Sequence, residues 1–227
     1  MPRGEVAQER APFLSGDSKF NSYIHLFSFH FDSCRTSTRC PTSFYNKRIL
    51  RGIMIKVSVI IPVYNKETLL FRAIESVPIR DDVEIIVIDD GSTDNTWNNL
   101  LMFREDYSNP NFVVLYNSEN KGVAYTVNRG LDIASGEYVV LLGSDDYFYT
   151  EEFVKAIESL DGTDLIYFDL KVNDGNVWKV TNESKYGLCG SVKFMTREFV
   201  GDIRNPEHMR HAEDAYFYRY LMSKNPT

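Results

Sequence analysis

Two runs of β-branched apolar residues stand out along the chain, VSVII at 57–61 and EIIVI at 84–88. The first breaks at Pro62, ahead of Tyr64 and Asn65, and the second at Asp89, Asp90 and Gly91. Continuous apolar runs of this length, bounded by turn residues, predict strands buried on both faces of a parallel sheet. The stretches between them change period. Residues 67–77 place Leu69, Leu70, Ala73, Ile74 and Val77 on one face of a helix, and Asp94 is a good N-cap for a second helix at 95–104. A helix at 122–134 puts Val123, Val127, Leu131 and Ala134 on one face, with Gly136 after its end, and another is expected at 150–160. Further strands are predicted at 112–116, 138–142 and 165–169. The alternation of strand and helix implies right-handed crossovers and an α/β fold, a mainly parallel central sheet flanked by helices.

After Lys171 the pattern changes. Asn173, Asp174, Gly175 and Asn176 predict a hairpin turn between FDLKV and VWKV. Residues 186–190, from Tyr186 to Gly190, predict a flexible loop before a strand at 191–195, and the last strong helix is expected at 213–223.

Residues 1–53 do not share this organisation. They are rich in Ser, Phe, Arg and Thr, and FNSYIHLFSFHF at 20–31 alternates only in part, with no turn or partner strand following it. The stretch is too polar for a signal-peptide core. Met54 stands directly before the first good strand, and Arg51-Gly52 just upstream could be encoded by a purine-rich run like a bacterial ribosome-binding site. These features predict a native start at Met54, with 1–53 a non-native or disordered extension and 54–227 one domain; an N-terminal arm packing on a partner is the competing reading.

Composition narrows the function classes. A net charge of −7 disfavours a nucleic-acid partner. The longest apolar runs are strand-sized and none approaches the ~20 residues that span a bilayer, which leaves only peripheral association with an inner membrane open. Cys34, Cys40 and Cys189 are an odd, sparse set that argues against a disulfide framework and fits a reducing cytoplasm. Cys34 and Cys40 lack the paired short spacings of a zinc site. Oligomerisation is left open.

Ligands of open α/β sheets bind outside the carboxyl ends of the strands. Acidic pairs fall at such ends: Asp89-Asp90, then Asp145-Asp146, and Glu213-Asp214 opens the last helix. Each has a structural reading, as a turn residue, a helix cap or a favourable charge at a helix start. All three in this order are harder to explain that way.

Four blocks carry a resemblance. VSVIIPVYN at 57–65, EIIVIDDGSTD at 84–94, NSENKGVAYTVNRGLDIASGEYVVLLGSDD at 117–146 and RHAEDAYFYR at 210–219 together resemble family 2 glycosyltransferases of the GT-A fold. The likeness runs over nearly all of the chain after Met54. It implies a metal-dependent, inverting enzyme of polysaccharide or glycoconjugate synthesis, with a nucleotide-sugar donor, most simply a UDP-sugar, and a glycan or lipid-linked acceptor. By the resemblance, Asp145 and Asp146 match the metal and sugar-phosphate positions, with Mn2+ or Mg2+ as the hard cation that oxygen ligands suit. Tyr64 offers a ring face to uracil, with the Pro62 and Val63 backbone at its edge; a half-buried core aromatic is the rival role. Asp90 would accept hydrogen bonds from base or ribose, and Asn65, Glu67 and Asn128 lie near the nucleotide. Arg129 would face a phosphate or form a surface salt bridge. Asp214 is the implied general base, Glu213 its orienting neighbour, and His208 and His211 lie just before it. Many family members carry Asp-x-Asp-Asp where this chain has Gly143-Ser144-Asp145-Asp146, so the first acid is missing. That loss keeps a second reading open, a degenerate nucleotide- or glycan-binding module. A nucleotidyltransferase is a weaker third, because the Gly-rich loop with a basic residue after the first strand is absent.

Overall fold

The computed structural model describes residues 54–172, 174–181, 184, 187–209 and 211–223, together with the backbone of 22–25. The expected extension at 1–53, with Cys34 and Cys40, therefore lies outside the described residues apart from β1 (Ser22–His25), as do Asn173, Tyr186 and Arg210.

The central sheet is built first from β2 (Val57–Val63), β3 (Val83–Asp89), β4 (Phe112–Tyr116) and β5 (Tyr138–Leu141). These four are mutually parallel in the order β4-β3-β2-β5. β3 is buried along its whole length and β2 nearly so, which is why both read as mainly apolar runs, and β2 continues through Pro62 to Val63, two residues past its expected end. The strand order reverses between β2 and β5, the topological switch point at which such sheets bind ligands.

α1 (Leu70–Ser76) follows β2, α2 (Thr96–Asp106) follows β3, α3 (Val123–Ile133) follows β4, and α4 (Thr150–Ser159) follows the short β6 (Tyr147–Phe148). α1 starts three residues later than its apolar face suggests, because 67–69 turn. Val127, Leu131 and Ala134 are buried as expected, but Val123, in the first turn of α3, is 45% exposed. Asp94 caps less directly than predicted: Asn95 is the N-cap, and the Asp94 carboxylate accepts the Thr96 amide two residues on.

The expected strand at 165–169 is two strands, β7 (Leu165–Tyr167) and β8 (Asp169–Val172), in different sheets. Phe168 is the break. Its amide donates to the Val192 carbonyl, and its ring packs edge-on to Phe148 and Phe194. β10 (Lys193–Thr196) then inserts antiparallel between β5 and β7, giving the six-stranded order β4-β3-β2-β5-β10-β7. A 3-10 turn at Gly190–Val192 occupies the start of the strand expected at 191–195. The predicted hairpin is present, β8 pairing antiparallel with β9 (Val177–Trp178). β1 lies between β6 and β8 in this second, four-stranded sheet, the partner that its partial alternation lacked in sequence.

Phe148 stacks on Phe153 at 4.0 Å and Phe153 on Phe194 at 5.4 Å, so an aromatic core lies directly beneath the Asp145-Asp146 loop. Ser76, ending α1, accepts the Phe148 amide, and the Thr150 hydroxyl donates to the Ser76 carbonyl. α5 (Arg197–Val200) leads to the loop before α6 (Glu213–Ser223). Among the described residues no helix is long and apolar enough to cross a membrane.

Candidate active site

β2, β3 and β5 are parallel neighbours, so the residues that follow them share one edge of the sheet. Tyr64 follows β2 and is 42% exposed. Pro62 and Val63 form the strand end beneath it, where the Val63 carbonyl already accepts the Asp90 amide at 2.8 Å.

The two acids after the second apolar run divide their work. Asp89 is fully buried and accepts the Ser92 amide at 2.7 Å; burial pushes its carboxyl up from the usual range, and its enclosed second oxygen has no hydrogen-bond partner among the described residues. Asp90 turns the other way. One oxygen accepts the Asn117 side-chain amide at 2.7 Å and the Lys121 amide at 2.9 Å, and the other accepts the Gly122 amide at 2.8 Å. An ionised carboxylate has about four acceptor sites, so three donors leave room for one from a ligand. Gly91 permits this packing: at φ +70 a Cβ would stand 2.5 Å from the Glu119 backbone.

Asp145 and Asp146 follow β5. The Lys66 ammonium lies 2.9 Å from the Asp145 carboxylate, and Arg72, stacked over the Tyr147 ring at 4.6 Å, donates to the Asp145 carbonyl at 2.6 Å. The Asp146 amide closes a turn on the Gly143 carbonyl. A Cβ on Gly143 would meet the Asp146 carboxylate at 2.7 Å and the Asp145 carboxylate at 3.4 Å. Two carboxylate oxygens thus converge above Gly143, and they occupy the space a side chain there would need. This is the pair that could hold a divalent cation. Among the described residues no third His, Cys, Asp or Glu completes a protein-only cluster, and a small hard cation on one or two carboxylates takes its remaining ligands from water and substrate phosphates. The residues therefore fit a metal that arrives with a diphosphate.

Asp214 reaches the same edge from α6. The Gly190 amide donates to one of its oxygens at 3.3 Å and the Ala215 amide to the other at 2.7 Å. A Cβ on Gly190 would lie 3.8 Å from the Asp214 Cβ and 3.2 Å from Leu141, the last residue of β5. Ala212, at φ 58, turns the chain sharply into the helix. Burial pushes up the Cys189 thiol, with smaller contributions from Asp214 and Asp146, both within electrostatic reach of it. His208 and His211 are exposed.

Three expected ligand contacts are committed elsewhere. The Asn128 amide is fully satisfied: its oxygen accepts the Asn205 backbone amide at 2.7 Å and the Asn205 side chain at 3.2 Å, and its nitrogen donates to the Asn205 carbonyl and to Glu207, both at 3.0 Å. It anchors the loop that leads to Asp214. Asn65, in the left-handed region at φ 52, accepts the Thr93 amide at 2.8 Å, while its own amide donates to Ser92. Glu67 accepts the Asn95 amide at 3.1 Å. Both clamp the loop after β3 to the end of β2 and build the cleft wall. Arg129 donates to the Tyr116 carbonyl at 2.9 Å and to the Asn117 side chain, stiffening the neighbour of Asp90.

Lys66, Arg72 and Asn117 were not singled out from sequence. Lys66 directly follows the YN that ends the first run, which is its one local signal; Arg72 and Asn117 have none.

The chain is similar to known proteins in sequence and fold. A family model described as Glycosyl transferase family 2 matches residues 58–220. The poly(ribitol-phosphate) beta-glucosyltransferase of Bacillus spizizenii is 35% identical over 193 residues, covering 75% of this chain and 30% of that protein. The solved structure of S. aureus TarS 1–349 in complex with UDP has a TM-score of 0.61 and 28% identity, covering 73% of this chain and 54% of that one. The mannosyltransferase PcManGT from Pyrobaculum calidifontis, in complex with GDP-Man and Mn2+, has a TM-score of 0.57 at 21% identity, covers 74% of this chain and 52% of that one, and is a likeness of fold alone. The chain spans under a third of the curated relative and about half of each solved chain. The family match covers well over half of the chain, on a mostly parallel sheet that gathers Tyr64, Asp90, Asp145, Asp146 and Asp214 at one edge: the chain belongs to glycosyltransferase family 2.

Proposed function

We propose that residues 54–227 act as the catalytic domain of an inverting glycosyltransferase that moves a sugar from a uridine diphosphate donor to a hydroxyl of a glycan or lipid-linked acceptor. The observation that carries this reading is the convergence of three parallel strand ends and one helix start: a ring face, a base- or ribose-binding acid, two diphosphate-side acids and one further carboxylate meet at the switch point. The UDP complex of TarS supports the choice of nucleotide.

Each residue type answers a chemical need. Tyr64 stacks on uracil and Asp90 accepts from the base or ribose, holding the donor in register. Lys66 brings positive charge to the corner where the diphosphate would lie. Asp145 and Asp146 would hold Mn2+ or Mg2+, which supplies Lewis-acid neutralisation of the leaving diphosphate. Asp214 takes the proton of the acceptor hydroxyl. That oxygen bonds to the anomeric carbon as the bond from carbon to phosphate oxygen breaks on the opposite face, and UDP leaves with the electron pair.

Gly143 favours a second reading, a module that binds nucleotide without transfer. Its weight is reduced because the Asp146 carboxylate fills the space an acid at 143 would need.

Release of UDP from a panel of uridine diphosphate sugars, with manganese and hydroxyl acceptors, tests the assignment. Asp214→Asn is expected to lower turnover by ~10²–10⁴-fold while donor affinity holds, the pattern of an interaction made in the transition state. Equal rates in wild type and variant would remove Asp214 from the chemistry. Nucleotide binding with no transfer by wild type would select the binding module.

A further inference from the structure

Lys193 sits in β10, a strand whose four residues are all buried, and is itself 0% exposed. Fully buried lysines are rare unless paired. Among the described residues, this ammonium is held by a carbonyl and two ring faces in place of a carboxylate. It donates to the Gly187 carbonyl, lies 3.4 Å from the centre of the Tyr218 ring and 5.3 Å from that of Tyr167. Such ring faces attract a cation, yet burial still pushes the amine down to about 7, with Cys189 and Asp214 pulling the other way.

Its partners form a closed circuit around Asp214. Gly187 and Gly190 bound one short loop. The Gly190 amide donates to the Asp214 carboxylate, and the Gly190 carbonyl accepts the Tyr218 hydroxyl at 3.1 Å. Tyr218 lies one helical turn after Asp214 on α6, on the face that packs inward. Lys193 closes the circuit by gripping the loop at Gly187 and the helix at Tyr218. The titratable groups facing it are Cys189 from the loop, Asp214 and Tyr218 from α6, and Tyr167 from β7.

We propose that Lys193 is a positioning residue for Asp214: it locks the 187–190 loop and α6 together so that the Gly190 amide fixes the carboxylate. The proposal rests on Asp214 being the base. A lysine kept in so costly a place contributes little to stability, and the local geometry directs its effect to the one carboxylate that the loop and the helix share.

Lys193→Met keeps the length and removes the charge and the donor. Turnover of a uridine diphosphate sugar is expected to fall roughly 10²-fold, the scale of a misplaced catalytic group, with UDP affinity unchanged. The melting temperature should not fall. Below about pH 7 it should rise relative to wild type, since wild type there holds a buried charge that the unfolded chain holds more easily. Tyr218→Phe, which cuts only the link to Gly190, should lower turnover by less. Wild-type turnover in Lys193→Met overturns the proposal, as does a joint loss of melting temperature and UDP affinity, the mark of a purely structural lysine. A wild type that turns over no donor at all overturns both this proposal and the reading of Asp214 on which it rests.

Discussion

The two ends of the central sheet treat their acids in opposite ways. At the amino end of the parallel strands, Glu84 is 1% exposed, and one of its oxygens accepts the Ser58 hydroxyl at 2.7 Å, the Ser135 amide at 2.9 Å and the Ser135 hydroxyl at 3.1 Å. Ser58 in turn accepts the Gly136 amide at 2.8 Å. This carboxylate is a staple between β2, β3 and the turn before β5. At the carboxyl end, acids from two strand ends and a helix gather. Asp145 keeps a third of its side chain exposed, and Asp90, though buried, keeps acceptor capacity beyond its three donors. Burial with neutral donors on all sides marks a structural acid. Gathering of like charges that water can still reach marks a place where a cation or a polar ligand relieves the repulsion.

That contrast can be broken from either end. Glu84→Ala strands the Ser58 and Ser135 donors in the core, and leaving buried polar groups unmade costs about 3 kcal/mol in total. Urea unfolding should show that loss as a lowered midpoint, while the UDP affinity of the folded protein stays as in wild type. A variant of full stability, or one that loses nucleotide affinity while folded, would erase the distinction between the two ends. Tyr64→Ala makes the smaller change at the other end. The ring is exposed, so the melting temperature should hold. Loss of a stacking platform is worth ~1–3 kcal/mol, so calorimetry should find UDP bound about ten-fold more weakly; unchanged affinity would return Tyr64 to a role in packing.

How much of this was written in the sequence follows from the range of each interaction. β2 and β3 were legible because a strand buried on both faces is apolar at most of its positions, with only Ser58, Glu84 and Asp89 polar among those buried here. Asp90, Asp145 and Asp146 were legible because they stand where such runs stop. Interactions that join distant segments left no local trace. Asn128 lies on an amphipathic helix like any polar neighbour of a core face; its partners at 205 and 207 are set by a loop almost eighty positions away. Asn65 and Glu67 meet the loop after β3 only because β2 and β3 pair in register. The antiparallel insertion of β10 could not be read from its neighbours in the chain, and it also hid Lys193, a single basic residue at the start of an apolar run whose burial depends on the two strands that flank it. The split at Phe168 has the same origin, a ring that packs inward where period alone runs straight on.

The central claim, that the carboxyl end of the sheet is a metal-assisted diphosphate site, is met most directly by calorimetric titration of UDP into wild type and Asp146→Asn, each with and without manganese. A neutral amide keeps the shape of the loop above Gly143 and removes the charge a hard cation needs. The account predicts that manganese tightens UDP binding to wild type, that this gain disappears in Asp146→Asn, and that the variant melts with wild type. Undiminished manganese-assisted UDP binding in Asp146→Asn, or tight UDP binding by wild type that manganese leaves untouched, would contradict it.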